Sequence, residues 1–162
     1  MKNSNNARKI ITLGLISATL GLTLTGCGAT GAESPTRNIR QVTDGVESNS
    51  GTIKALNVLL VAQADGSATL VGTLVNTGAD SDAITSITAN DVAAKIDPAQ
   101  NELITDRPVV FAGDSATAKA SFVGLNAAAG TRVNLTINFV TSASMKLSVL
   151  VRDKSEPYSN VG

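Results

Sequence analysis

The sequence predicts an all-β domain, a two-sheet Greek-key sandwich of about seven strands, and three observations carry that expectation. Short runs rich in Val, Ile, Leu and Thr alternate apolar with polar residues at a period of two, which turns one face of each run inward. Gly, Asn and Asp separate the runs, as turn chemistry requires. Beyond residue 26 no segment has the pattern of an amphipathic helix. Aromatics make up only 2% of the chain, so the core has to be aliphatic and β-branched, a composition that packs well on a pleated surface.

The first 26 residues stand apart from that domain. A polar start carrying Lys2, Arg8 and Lys9 leads into Ile10–Leu24, fifteen residues without a charge. A membrane-spanning helix needs about 20 apolar residues, whereas the apolar region of an export signal runs to about 7–15, so residues 1–26 read as a removable signal peptide. Leu24-Thr25-Gly26-Cys27 resembles a lipobox: a Leu, two small residues that let an extended backbone enter a peptidase cleft, then the only thiol of the chain. That resemblance implies cleavage before Cys27 and a diacylglycerol on its sulfur. The plainer alternative is a secretory signal with a chance cysteine, but Cys27 sits at the one position a lipobox requires. Each buried CH₂ contributes about 0.8 kcal/mol, so two or three acyl chains hold a protein durably on the outer side of a membrane.

Residues 27–51 follow as lipidated cysteine and tether. From Gly28 to Asn38 the chain is too poor in apolar residues to fold. The stretch 39–51 reads two ways: Ile39, Val42 and Val46 allow an edge strand, while Asp44-Gly45 and Asn49-Ser50-Gly51 are turn chemistry. The sandwich itself is expected over 52–153. Ile53–Gln63 is its first strand, apolar on both faces over Leu56–Val61 and so central. Asp65-Gly66 turns the chain into Ala68–Asn76, completing a hairpin. After the turn at Asn76–Asp80 come Ile84–Thr88, a weaker run at Val92–Ile96, a loop broken by Pro98, and a short run at Val109–Phe111. Ala116–Phe122, Arg132–Phe139 and Met145–Arg152 complete the set. In the last two, Val133, Leu135, Ile137 and Phe139, then Met145, Leu147, Val149 and Val151, face one way. Residues 154–162 read as a tail. Such a series suits a sandwich of the immunoglobulin or the cupredoxin kind.

Composition excludes several classes of function. The mature chain of 136 residues suits one domain and carries ten basic against 13 acidic residues, a formal charge of −3. It has no basic run, and Phe111, Phe122, Phe139 and Tyr158 are scattered, so a nucleic-acid partner is not expected. With Cys27 taken by lipid, no intramolecular disulfide can form. The chain has no histidine, which rules out Ser-His-Asp and Cys-His catalysis, and no second thiol for a thiolate metal site. Lys119 and Ser121 would share a strand face and could form a Ser-Lys pair, but such neighbours are common on solvated strands. Asp80, Asp82, Asp91, Asp97, Asp106 and Asp114 fall in or near turns, where Asp bonds its own backbone, so we read them as caps rather than a cation site. Asn134-Leu135-Thr136 is a glycosylation sequon lying in a strand and is discounted. No catalytic residue, metal or cofactor is expected.

Ala68–Gly78 followed by Asp82-Ala83-Ile84 resembles the N-x-G-x-x-x-D-x-L hairpin of the periplasmic copper chaperone PCuAC family, with Asn76, Gly78 and Asp82 at its fixed positions. A second block is similar to that family's order of turn and strand: Val110-Phe111-Ala112-Gly113, then Phe122-Val123-Gly124-Leu125, then Gly130–Phe139. The likeness covers about Ile53 to Val151 and extends to the PCuAC-like lipoproteins of actinobacteria, the LpqE type included. It implies a cupredoxin-like sandwich. It does not imply the family's copper site, whose ligands are His and Met side chains with a His-x-Met pair before the G-L segment. Lys119 and Ser121 match that pair, an ammonium that repels a cation and a hard hydroxyl that suits copper(I) poorly. Met145, the only Met left after export, lies on an alternating strand and reads as core. The expected function is a lipid-anchored, non-enzymatic binding or assembly module with the membrane and a cell-envelope protein as partners. The alternative is a metallochaperone descended from the copper family that uses a different site.

Overall fold

A computed structural model describes residues 44–97 and 102–162. The signal peptide, Cys27 and the tether up to residue 43 lie outside the described residues. Those described contain no helix and eleven strands: β1 Val46–Ser50, β2 Ile53–Ala62, β3 Ala68–Asn76, β4 Asp82–Ala89, β5 Val92–Ala93, β6 Lys95–Asp97, β7 Glu102–Leu103, β8 Val109–Phe111, β9 Lys119–Phe122, β10 Arg132–Phe139 and β11 Met145–Arg152. The hydrogen-bonded order is β5-β4-β10-β11-β2-β3-β9-β6, with β1 on β2, β7 on β4 and β8 on β3. The β11–β2 pair is parallel and joins the two layers at Val151↔Leu60 and Arg152↔Val61. At the opposite corner β5 and β6 end the order on different layers, yet only Ala94 separates them. One short segment therefore serves both sheets, leaving a sandwich that is nearly a closed barrel and has little free edge.

The inward faces are those the period-two runs predict. Val133, Leu135, Ile137 and Phe139 of β10 and Met145, Leu147, Val149 and Val151 of β11 are buried in one core with Leu70, Leu74, Ile84 and Ile87. β2 departs from simple alternation for a structural reason. Its pairing with β3 shifts between Leu56 and Leu59, and Asn57 there has φ +49°. This bulge changes the phase of the strand, so that Ile53 and Ala55 before it, and Val58 and Leu60 after it, all enter the same core. Opposite it, Gly72 has φ +150°, and a Cβ there would stand 3.1 Å from the Val58 Cα, which leaves the place to glycine. After the bulge Leu59 and Val61 point outward, and they are still buried because Val161 and Tyr158 pack over them with Val71. The two apolar faces seen in the sequence thus belong to two different clusters.

Three expectations change in detail. The strand count rises from about seven to eleven because the weak run at 92–96 splits at Ala94 into β5 and β6, the short run at Val109–Phe111 pairs as β8, and β1 and the two-residue β7 lie outside the expected runs. The run 116–122 is strand only from Lys119. The stretch 39–51, left open by its residues, is strand at its end: Val46–Ser50 pairs antiparallel with the first half of β2, so residues 46–50 are part of the sandwich and not tether. The C-terminal residues also fold back onto the domain. The Tyr158 hydroxyl donates to Asp44 Oδ2 at 3.0 Å, and Arg152 Nε lies 3.6 Å from the same oxygen.

Candidate functional site

Two polar regions stand out, and they were singled out by the same resemblance. The first is the loop from β3 to β4. Asn76 is fully buried and uses all of its side-chain capacity: Nδ2 donates to the carbonyls of Asp80 at 2.7 Å and Leu103 at 3.0 Å, while Oδ1 accepts from Thr52 Oγ1 at 3.0 Å and from the Gly78 amide at 2.9 Å. Gly78 packs so closely on Thr52 that a Cβ would stand 2.8 Å from its Oγ1. Asp82 holds the other end. Its Oδ1 accepts from the amides of Ala83 at 2.7 Å and Thr141 at 2.9 Å, and its Oδ2 from the Ser142 amide at 2.8 Å. Burial pushes this carboxyl up, but the Ser142 side chain and these amides outweigh burial and draw its pKa from 3.8 to about 2. The Asn-x-Gly…Asp motif is therefore a clamp that ties β3, β4, β7 and the loop after β10. Every donor and acceptor of it is spent on the chain itself.

The second region is the outer face of the other layer. Register places Lys95 beside Ser121, Ser121 beside Thr69, Thr69 beside Val61 and Val61 beside Arg152, so one row of side chains crosses β6, β9, β3, β2 and β11 on a single face. Lys119, two residues from Ser121, shares that face and stands across from Asp97. Around Lys119 and Ser121 the surface forms a concavity of about 450 Å³, to which Gln63, Asp65, Thr69 and Lys154 also contribute. Asp65 turns away: its Oδ1 accepts from the Ser67 hydroxyl at 2.6 Å and the Ser67 amide at 3.0 Å, which lowers its pKa.

The structure places the remaining expected residues as follows. Met145 is 2% exposed in the core, far from any role as a surface ligand. Asp91 and Asp106 occupy left-handed turn positions with φ +69° and +57°. Among the described residues no group of three or more His, Cys, Asp and Glu comes together. Cys27 lies outside the described residues. Thr69, Gln63 and Lys154 were not singled out in the sequence as site residues. They lie 50, 56 and 35 positions from Lys119 in the chain, and only strand register and the fold-back after β11 bring them to it.

No protein-family model matches the chain, and no curated protein matches it significantly. Solved structures match it in shape. The apo PCuAC domain from PmoF1 aligns with a TM-score of 0.57 at 16% identity, over 67% of this chain and 99% of that domain. The copper-bound PCuAC domain from PmoF2 aligns with a TM-score of 0.57 at 18% identity, over 67% of this chain and 98% of its own. The fold is PCuAC-like. Identities this low speak for architecture alone. Within this PCuAC-like fold the clamp is formed by Asn76, Gly78 and Asp82, and the concavity by Lys119 and Ser121 with Gln63, Thr69 and Lys154.

Proposed function

We propose that this chain is a non-enzymatic binding module of the cell envelope, held to the outer side of a membrane by lipid on Cys27. One observation carries the reading: Lys119 and Ser121, which the sequence resemblance sets against the family's His-x-Met pair, line a surface concavity together with a second lysine, Lys154. Ammonium groups repel a cation, and neither side chain is a soft ligand for copper(I). The lipobox at Leu24–Cys27 supports the anchor, and the absence of histidine and of a second thiol from the whole chain supports a role without nucleophilic catalysis. The decisive experiment is a copper(I) titration of the full chain with a competing chelator. No stoichiometric binding is expected, and tight one-to-one binding would overturn the reading. That outcome would favour the second reading, a metallochaperone using a different site, which draws its support from the likeness to a copper-bound domain. The anchor has its own test: Cys27→Ser should abolish incorporation of labelled fatty acid and leave the precursor largely unprocessed, and a labelled mutant would show the anchor to be misassigned.

A further inference from the structure

We propose that the concavity around Lys119 and Ser121 binds an oxyanion of the phosphate class. The inference rests on the reading of this domain as a binding module and deepens it by naming the ligand chemistry.

Four donors line that space and give no hydrogen bond or ion pair to an acceptor among the described residues, although Gln63, Asp65 and Gly162 line it beside them. Lys119 and Lys154 contribute ammonium groups, and the ion pair found among the described residues, Arg152 with Asp44, involves neither. Asp97, across from Lys119 in register, is not within ion-pair distance of it. The rim carboxylate of Asp65 has its Oδ1 committed to Ser67. Ser121 presents a half-buried hydroxyl that is not committed to another side chain or carbonyl among the described residues. Thr69 is the most informative member. It is 3% exposed, its oxygen accepts from Gln63 Nε2 at 3.3 Å, and its proton goes to no group among the described residues. Gln63 is itself fixed, because the same nitrogen donates to the Val161 carbonyl at 3.2 Å. A buried hydroxyl whose oxygen only accepts keeps its proton available for water or a ligand. Lys95, beside Ser121 in the cross-sheet row, adds a third cation at the margin.

Such a set is the inverse of a metal site. Where His and Met would offer lone pairs to a cation, this face offers N–H and O–H groups and positive charge. A ligand must bring several acceptor oxygens and negative charge, and a tetrahedral oxyanion does both, taking hydrogen bonds from two ammonium groups and two hydroxyls at once. The volume, about 450 Å³, exceeds what a bare ion needs and leaves room for the organic part of a phosphate ester or a lipid headgroup.

The test uses the full ¹⁵N-labelled chain in neutral detergent micelles. In one arm inorganic phosphate is titrated; in the other, phosphatidylglycerol is doped into the micelles. Saturable shifts confined to the amides around residues 63, 69, 119, 121 and 154 are expected in at least one arm. Phosphate alone producing them assigns a soluble oxyanion, and the lipid alone producing them assigns a headgroup. Lys119→Gln and Lys154→Gln should each weaken that binding about tenfold, the equivalent of one charged hydrogen bond. Lys146→Gln, an exposed lysine on β11, removes the same charge elsewhere and should leave it unchanged. Shifts in neither arm, shifts spread over the surface, or an equal loss in Lys146→Gln would overturn the proposal. A copper(I) titration of the same sample reports separately on the binding-module reading, so failure of one is not mistaken for failure of the other.

Discussion

The clamp at Asn76–Asp82 and the concavity at Lys119–Ser121 are both polar, and both lie on segments that resemble one family. The clamp is closed on itself: four hydrogen bonds meet the Asn76 side chain and three amides meet Asp82. The concavity is open, and its donors meet no acceptor among the described residues. A satisfied buried network specifies structure, whereas unspent polar groups in a hollow specify a ligand. On the proposed reading, the contrast explains how a chain can share an architecture with copper-binding domains and bind a different ligand. The motif that makes the fold recognisable is the part that builds it, and the residues that would do chemistry occupy a separate strand.

If the clamp is structural, breaking it should cost as much as opening a large cavity in the core. Asn76→Ala leaves the carbonyls of Asp80 and Leu103, the Gly78 amide and the Thr52 hydroxyl without their partner, at about 1 kcal/mol or more for each of four bonds. A loss on the order of 4 kcal/mol in denaturant unfolding is expected, a large share of the stability of a domain this size. A loss below about 1 kcal/mol would show that the loop holds without Asn76 and would end the contrast with the concavity. The core sets the next mark. Leu135 is fully buried and Thr136 half-buried beside it, so Leu135→Ala should cost about 2–5 kcal/mol and Thr136→Ala far less. Equal losses at the two positions would mean that β10 faces otherwise.

Asp82 sharpens the comparison through pH. Its pKa is lowered in the folded chain, from 3.8 to about 2, so the folded state binds its proton less readily than the unfolded state. The stability this adds is fully present above about pH 4 and is lost as pH falls towards 2, amounting to about 2 kcal/mol. Asp82→Asn should therefore destabilise the domain by about that much at pH 7 and flatten the dependence of stability on pH between 4 and 2. Parallel curves for the two proteins would show that the carboxylate does not hold the Thr141 and Ser142 amides.

Much of the fold was legible because it obeys a local rule. The runs at β3, β10 and β11 carry their own period, and Asp65-Gly66 is a turn by its chemistry alone. What stayed hidden depends on pairing across distance. The strand at Val46–Ser50 has weak local pattern and exists because the front half of β2 offers it a free edge until β11 takes over at Leu60. The bulge at Asn57 cannot be read from a run that is apolar on both sides, and the cover over Leu59 and Val61 comes from Val161, a hundred residues on. The candidate site follows the same division. Lys119 and Ser121 were visible as two positions of one strand, but Thr69 and Lys154 join them only through register and the fold-back of the C-terminal residues.

The smallest stability effect is expected at Thr69, and it separates the two regions most cleanly. Thr69→Val keeps the branched shape on β3 and removes only the hydroxyl. In a closed network that deletion would strand a partner and cost about 1–3 kcal/mol, as at Asn76. Here the hydroxyl gives its proton to no group among the described residues, and the bond it accepts, from Gln63 Nε2 at 3.3 Å, is long, while that nitrogen keeps the Val161 carbonyl at 3.2 Å. The unfolding midpoint should therefore move by no more than about 0.5 kcal/mol in either direction, within the range of ordinary surface changes. The amide shifts produced by phosphate or anionic lipid at residues 119 and 121 should meanwhile weaken several-fold. A substitution that leaves stability alone and removes binding marks a group held for a ligand. A loss of more than about 1 kcal/mol would place Thr69 with the clamp instead, as a residue whose polar capacity the fold already spends.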